Sequence, residues 1–139
     1  MRVTTTAGRI PVLQQEILLL ERSTMVGNII VSTARQLGLR PVRLVSNCRG
    51  AQQWMEHHAF DGVITSLEEE EDTLQLIQQL RAGAFKSPSH TPVAVTTPQI
   101  NASLAQRIKV LHVRRILLKP FKIRDLVTTI EMLTEISAT

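Results

Sequence analysis

Five short aliphatic runs alternate with five stretches in which apolar residues recur at helical spacing. The first run, Ile17-Leu18-Leu19-Leu20, is continuous, as expected of a strand buried on both faces. Ser23 follows as a helix N-cap, and Val26, Ile29, Ile30, Ala34 and Leu37 repeat with helical periodicity up to Gly38, where a helix would stop. The second run, Val42-Arg43-Leu44-Val45, alternates and reads as a strand nearer the sheet edge. Asn47 caps a helix carrying Ala51, Trp54, Met55 and His58 on one stripe. The third run is Gly62-Val63-Ile64-Thr65. An acidic run, Glu68 to Asp72, follows it and leads into a helix with Leu74, Ile77 and Leu80 inward, ended by Gly83. The fourth run, Val93-Ala94-Val95-Thr96, precedes a helix capped by Asn101 and carrying Leu104, Ile108 and Leu111. The fifth, Ile116-Leu117-Leu118, is cut off by Lys119-Pro120-Phe121. A last helix then carries Ile123, Leu126, Val127, Ile130 and Leu133.

This pattern predicts a (βα)5 chain with a parallel sheet and helices on both faces. Right-handed crossovers restrict the topology to a doubly wound sheet. Function in such sheets gathers at the carboxyl ends of the strands. Residues 1–15 are Thr-rich and without strong periodicity, so they read as a flexible lead-in to a domain spanning 16–139.

Composition narrows the function. The 139 residues fit one domain and leave little room for a second among them. Aromatics are only 3%, so the core must be aliphatic. The net charge of +4 fits a mildly basic domain, and the shortage of stacking aromatics disfavours a single-strand nucleic-acid platform and direct nucleic-acid binding. Cys48 stands alone, which excludes an intrachain disulfide and a cysteine-based zinc site. His57 and His58 are adjacent and face different directions on a helix, so they form no i, i+4 metal pair. The start of the chain has no apolar signal-peptide core and no run approaches a bilayer span, so a cytoplasmic location is expected.

The strand ends carry a family resemblance. The chain's fifth strand runs into Lys119-Pro120-Phe121, its first into Leu19-Leu20-Glu21-Arg22-Ser23-Thr24-Met25, and its fourth is Thr91-Pro92-Val93-Ala94-Val95-Thr96-Thr97. From about Glu16 to Ile136 it resembles the receiver domain of two-component response regulators. That resemblance implies an aspartyl phosphorylation pocket: two acidic residues after the first strand for Mg²⁺, an Asp after the third as nucleophile, a hydroxyl after the fourth and a Lys after the fifth. It also implies a flavodoxin-like α/β sheet in strand order 2-1-3-4-5 and a cis bond at Lys119-Pro120.

Placed on this chain, the acidic pair falls at Leu20 and Glu21, the nucleophile at Ser66, the hydroxyl at Thr97 (Thr96 if the strand end shifts by one) and the lysine at Lys119. Ile116 takes the place of the switching aromatic. A serine cannot form an acyl phosphate, and a lone carboxylate cannot compete with the hydration shell of Mg²⁺. The expectation is a degenerate receiver, or pseudo-receiver. It would be no enzyme, hold no metal or cofactor, and act in signal transduction or transcriptional regulation through protein contacts. Arg107, Lys109, Arg114, Arg115, Lys122 and Arg124 form a basic face around the fourth helix, fifth strand and fifth helix, a candidate surface for a homodimer or an output domain. Two alternatives stay open: a phosphorelay receiver with a nonstandard acceptor in Glu68 to Asp72, and a small-anion site near Lys119 and the start of the last helix.

Overall fold

A computed structural model describes residues 16–135; the lead-in at 1–15 lies outside them. The chain alternates β1 (Ile17–Leu20), α1 (Thr24–Gln36), β2 (Val42–Val45), α2 (Cys48–His57), β3 (Gly62–Ser66), α3 (Glu70–Arg81), β4 (Val93–Thr97), α4 (Ala102–Val110), β5 (Arg115–Leu118) and α5 (Ile123–Glu135). All strands are parallel, in the order β2-β1-β3-β4-β5. The predicted fold class and strand order are the ones observed.

Period-two alternation along the strands divides the core. Ile17, Leu19, Ile64 and Ala94 pack against Ile30 and Ala34 of α1 and Leu126, Ile130 and Leu133 of α5. Leu18, Leu20, Val63, Val93 and Val95 face Ala51 and Met55 of α2, Leu74, Ile77 and Leu80 of α3, and Leu104 and Ile108 of α4. Burial on both faces is why the central strands read as unbroken apolar runs. Gly38 and Gly83 have φ of +68° and +81°, the left-handed conformation that ends α1 and α3.

Some inward expectations change. Ile29 and Ile123 are each 49% exposed and Leu37 lies outside α1 as its C-cap. Ile29 and Ile123 instead line an apolar groove between α1 and α5. Trp54 is half-buried rather than core. Its ring carries the Arg43 guanidinium at 4.1 Å and meets the His58 ring at 4.8 Å. The sheet edge that exposes β2 makes this stacking available. No described helix is long and apolar enough to cross a membrane.

Candidate functional site at the strand ends

The direction in which successive strands are added reverses at β1, which lies between β2 and β3, so the topological switch point falls at the carboxyl ends of β1 and β3. The strand ladder positions its residues. The Glu21 N–H donates to the Val45 carbonyl (3.0 Å), and the Lys119 N–H donates to the Thr97 carbonyl (2.8 Å), so each sits one step past its strand with its backbone still fixed. The Lys119–Pro120 peptide bond is cis.

Glu21 is the centre of the site. It is 1% exposed, and both carboxylate oxygens have partners. Oε1 accepts from Lys119 Nζ at 2.9 Å and Oε2 accepts from the Ser23 N–H at 3.0 Å. A carboxylate this buried requires such partners. Lys119, with its side chain 19% exposed, also donates to Ser66 Oγ at 3.4 Å and lies 3.9 Å from Glu68 Oε2. The lysine therefore faces two carboxylates and a hydroxyl.

Leu20 points away from this group, into the core on the α2–α4 side. Thr97 Oγ1 donates to the Gln99 carbonyl at 2.9 Å, which commits its proton to the β4–α4 turn. Among the described residues the buried Thr96 hydroxyl has no hydrogen-bond partner. The gap bounded by Leu20, Arg22, Ser46, Ser66, Glu68 and Glu69 has a volume of about 10 Å³, about the room of a single water.

A divalent cation does not fit these residues. Mg²⁺ needs near-octahedral oxygen ligation, and the one buried carboxylate here already accepts from an ammonium and a backbone N–H. Among the described residues no group of three or more His, Cys, Asp or Glu is placed to hold a metal. The acidic run does not assemble one. Glu70, Glu71 and Asp72 form the first turn of α3, where they suit the helix dipole. Glu71 receives both Arg107 guanidinium nitrogens at 2.6 and 3.0 Å, and hydrogen bonding to Arg107 holds its carboxyl below the usual range.

That pairing changes the basic face. Arg107 is tied across to α3, whereas Lys109, Arg114, Lys122 and Arg124 are exposed and Arg115 is half-buried on β5. Ile116 and Leu118, two residues apart on edge strand β5, are exposed together. Cys48 opens α2 with its Sγ 3.5 Å from Thr73 Oγ1, and burial pushes its thiol pKa up, away from reactivity.

Sequence reasoning missed Arg81. Its guanidinium donates to the carbonyls of Leu111 (2.8 Å), Ser89 (2.8 Å), Thr91 (2.7 Å) and His112 (3.2 Å). An arginine at the end of a helix is so common that nothing in the sequence marked this one.

No family model and no curated protein matches the chain. Solved structures do. A response regulator from Thermotoga maritima superposes with a TM-score of 0.74 at 19% identity, over 88% of this chain and 98% of that one. The receiver domain of a sensor histidine kinase from Pseudomonas aeruginosa PAO1, solved with magnesium coordinated in its active-site cleft, gives 0.72 at 22%, over 87% and 98%. An orphan response regulator of H. pylori gives 0.74 at 17%, over 86% and 96%. The chain therefore has the fold of response-regulator receiver domains.

Proposed function

We propose that this chain is a pseudo-receiver: a receiver-fold domain of two-component signalling that works through protein contacts, without conventional aspartyl phosphorylation. The observation that carries the reading is the Glu21–Lys119 pair, with Ser66 beside it. At the end of β3 a hydroxyl stands where acyl-phosphate chemistry needs a carboxylate. After β1, which ends at Leu20, the one carboxylate is Glu21, and Lys119 neutralises it. The cation that would balance a phosphoryl group instead balances Glu21.

Incubation of the full chain with acetyl phosphate and Mg²⁺, read by intact mass, tests this directly. The expected result is an unchanged mass. A gain of one phosphoryl group that hydroxylamine removes would overturn the proposal, and peptide mapping would then ask whether Glu68 to Asp72 holds it.

We assign the contact surface to β5 and its flanking helices. Ile116 and Leu118 are apolar side chains exposed on an edge strand, and Lys109 on α4, Lys122 just before α5 and Arg124 on α5 supply charge. This surface serves an output domain or a second copy of the chain. Sedimentation across a concentration series, with Leu118→Glu as the disrupting variant, distinguishes the two.

A further inference from the structure

The second concave feature lies at the opposite end of the sheet from Glu21 and Lys119. Arg81 closes α3, Thr91 and Pro92 lead into β4, and residues 111–114 lead into β5, so all of them gather at the amino ends of the strands. Between them is a cleft of about 580 Å³ lined by Arg81, Ser89, His90, Pro92, Val110, His112 and Arg114. Its size falls in the range of small-molecule sites, about 300–1,000 Å³.

Its charge is one-sided. Two guanidiniums and two imidazoles line it, and no carboxylate does. Among the described residues neither Arg81 nor Arg114 has an ion-pair partner. Burial first, and the neighbouring Arg114 second, push the Arg81 pKa down, as expected of like charges held together without a counter-ion. An anion entering the cleft would relieve that repulsion.

The wall is also fixed in place. Four carbonyls from two loops hold the Arg81 guanidinium, which uses four of its five N–H groups and leaves one on Nη2. His112, whose carbonyl is one of the four, has φ +57°, a left-handed conformation uncommon for a residue with a Cβ. The loop is thus tied into one shape by Arg81 instead of being free to fold over the charge. Pro92 and Val110 give the cleft an apolar side.

We propose that this cleft binds a phosphorylated small molecule. Arg114 and the remaining Arg81 N–H take the phosphate, His90 and His112 flank it, and Pro92 and Val110 carry the organic body. Guanidinium groups match phosphate oxygens in geometry, and a fixed guanidinium loses little freedom on binding.

Arg81 is unsuitable as a probe because its loss would also release two loops. Arg114 is exposed and suitable. Isothermal titration of the full chain with adenosine monophosphate, inorganic pyrophosphate and adenosine, at fixed ionic strength, gives the first readout. The monophosphate is expected to bind saturably, pyrophosphate more weakly for want of an organic body, and adenosine not at all. Arg114→Ala should weaken the monophosphate about tenfold, which is about 1.4 kcal/mol. Arg49→Ala, an equal loss of charge on an exposed position of α2, should not. Amide shifts should map to residues 89–91 and 110–114. Absence of saturable binding by either phosphate, equal weakening in the two variants, or shifts centred on Lys119 would each overturn the proposal.

Discussion

At the residue scale the Glu21–Lys119 pair makes the sharpest demand. A buried pair broken on one side leaves an uncompensated charge, which costs more than the pair itself contributes. Lys119→Met strands a carboxylate that is 1% exposed, and should lower unfolding stability by about 3 kcal/mol. Glu21→Gln should cost less, about 1–2 kcal/mol, because Lys119 keeps some access to water and Ser66 nearby. The double variant should be less destabilised than the sum of the two, and urea titrations of all four chains measure the coupling. Glu21 and Lys119 were legible as the site's surviving charged pair from their places after the first and fifth strands. The partners of Glu21 were not all legible, since the Ser23 N–H is a backbone group that only the turn geometry aims.

Asp61 gives a pH test at the same scale. Its Oδ2 is buried, and it pairs with Arg40 at 3.1 Å in a geometry that makes no hydrogen bond. Burial raises its pKa, and Arg40 only partly offsets this. A carboxyl with a raised folded pKa binds its proton more tightly in the folded state. The folded chain is therefore penalised above that pKa, and the penalty fades as pH falls through it. Asp61→Asn removes the titration. The stability of the wild type relative to this variant should rise as pH is lowered from neutral into the carboxylate range, as followed by urea midpoints.

At the scale of the element, three helices begin on predicted caps. Ser23 Oγ, Asn47 Oδ1 and Asn101 Oδ1 accept from the N–H groups of Val26, Gly50 and Leu104 at 3.2, 2.7 and 2.8 Å. Asn101→Ala should cost about 1 kcal/mol. These caps were legible because the partner lies three residues away in sequence. Arg81 shows the converse. Its partners stand 8 to 31 residues away, on two loops whose meeting depends on the sheet being assembled. Arg81→Met should lose about 3 kcal/mol in a thermal or urea melt, and Arg81→Lys should recover only part, because an ammonium cannot reach four carbonyls spread around a planar fork. Ile29 and Ile123 mark a different limit. Helical spacing put them on the apolar stripe, but whether a stripe position meets the sheet or borders a groove is set by the separation of α1 and α5.

For the whole molecule, the parallel doubly wound sheet followed from alternation and crossover handedness, the strand order from the receiver resemblance, and the two-sided core from the unbroken apolar runs. These are properties of the entire chain, robust to any single residue. The strand-end site is the reverse: one topology supports a metal pocket or a closed ion pair, and in the proposed reading Ser66 and the Glu21–Lys119 contact select the closed pair. A cluster of carboxylates repels itself and is stabilised by the cation it binds. Here Lys119 supplies that positive charge from within the chain, so folding should not respond to Mg²⁺. A real site at tenfold saturation would add about 1.4 kcal/mol, enough to raise the midpoint of a domain this size by about 3–6 °C. The melting midpoint in Mg²⁺ should instead match that in chelator at equal ionic strength. A shift specific to Mg²⁺ would mean that Glu21 leaves Lys119 for the ion, and the closed pair would then be one state of an open pocket.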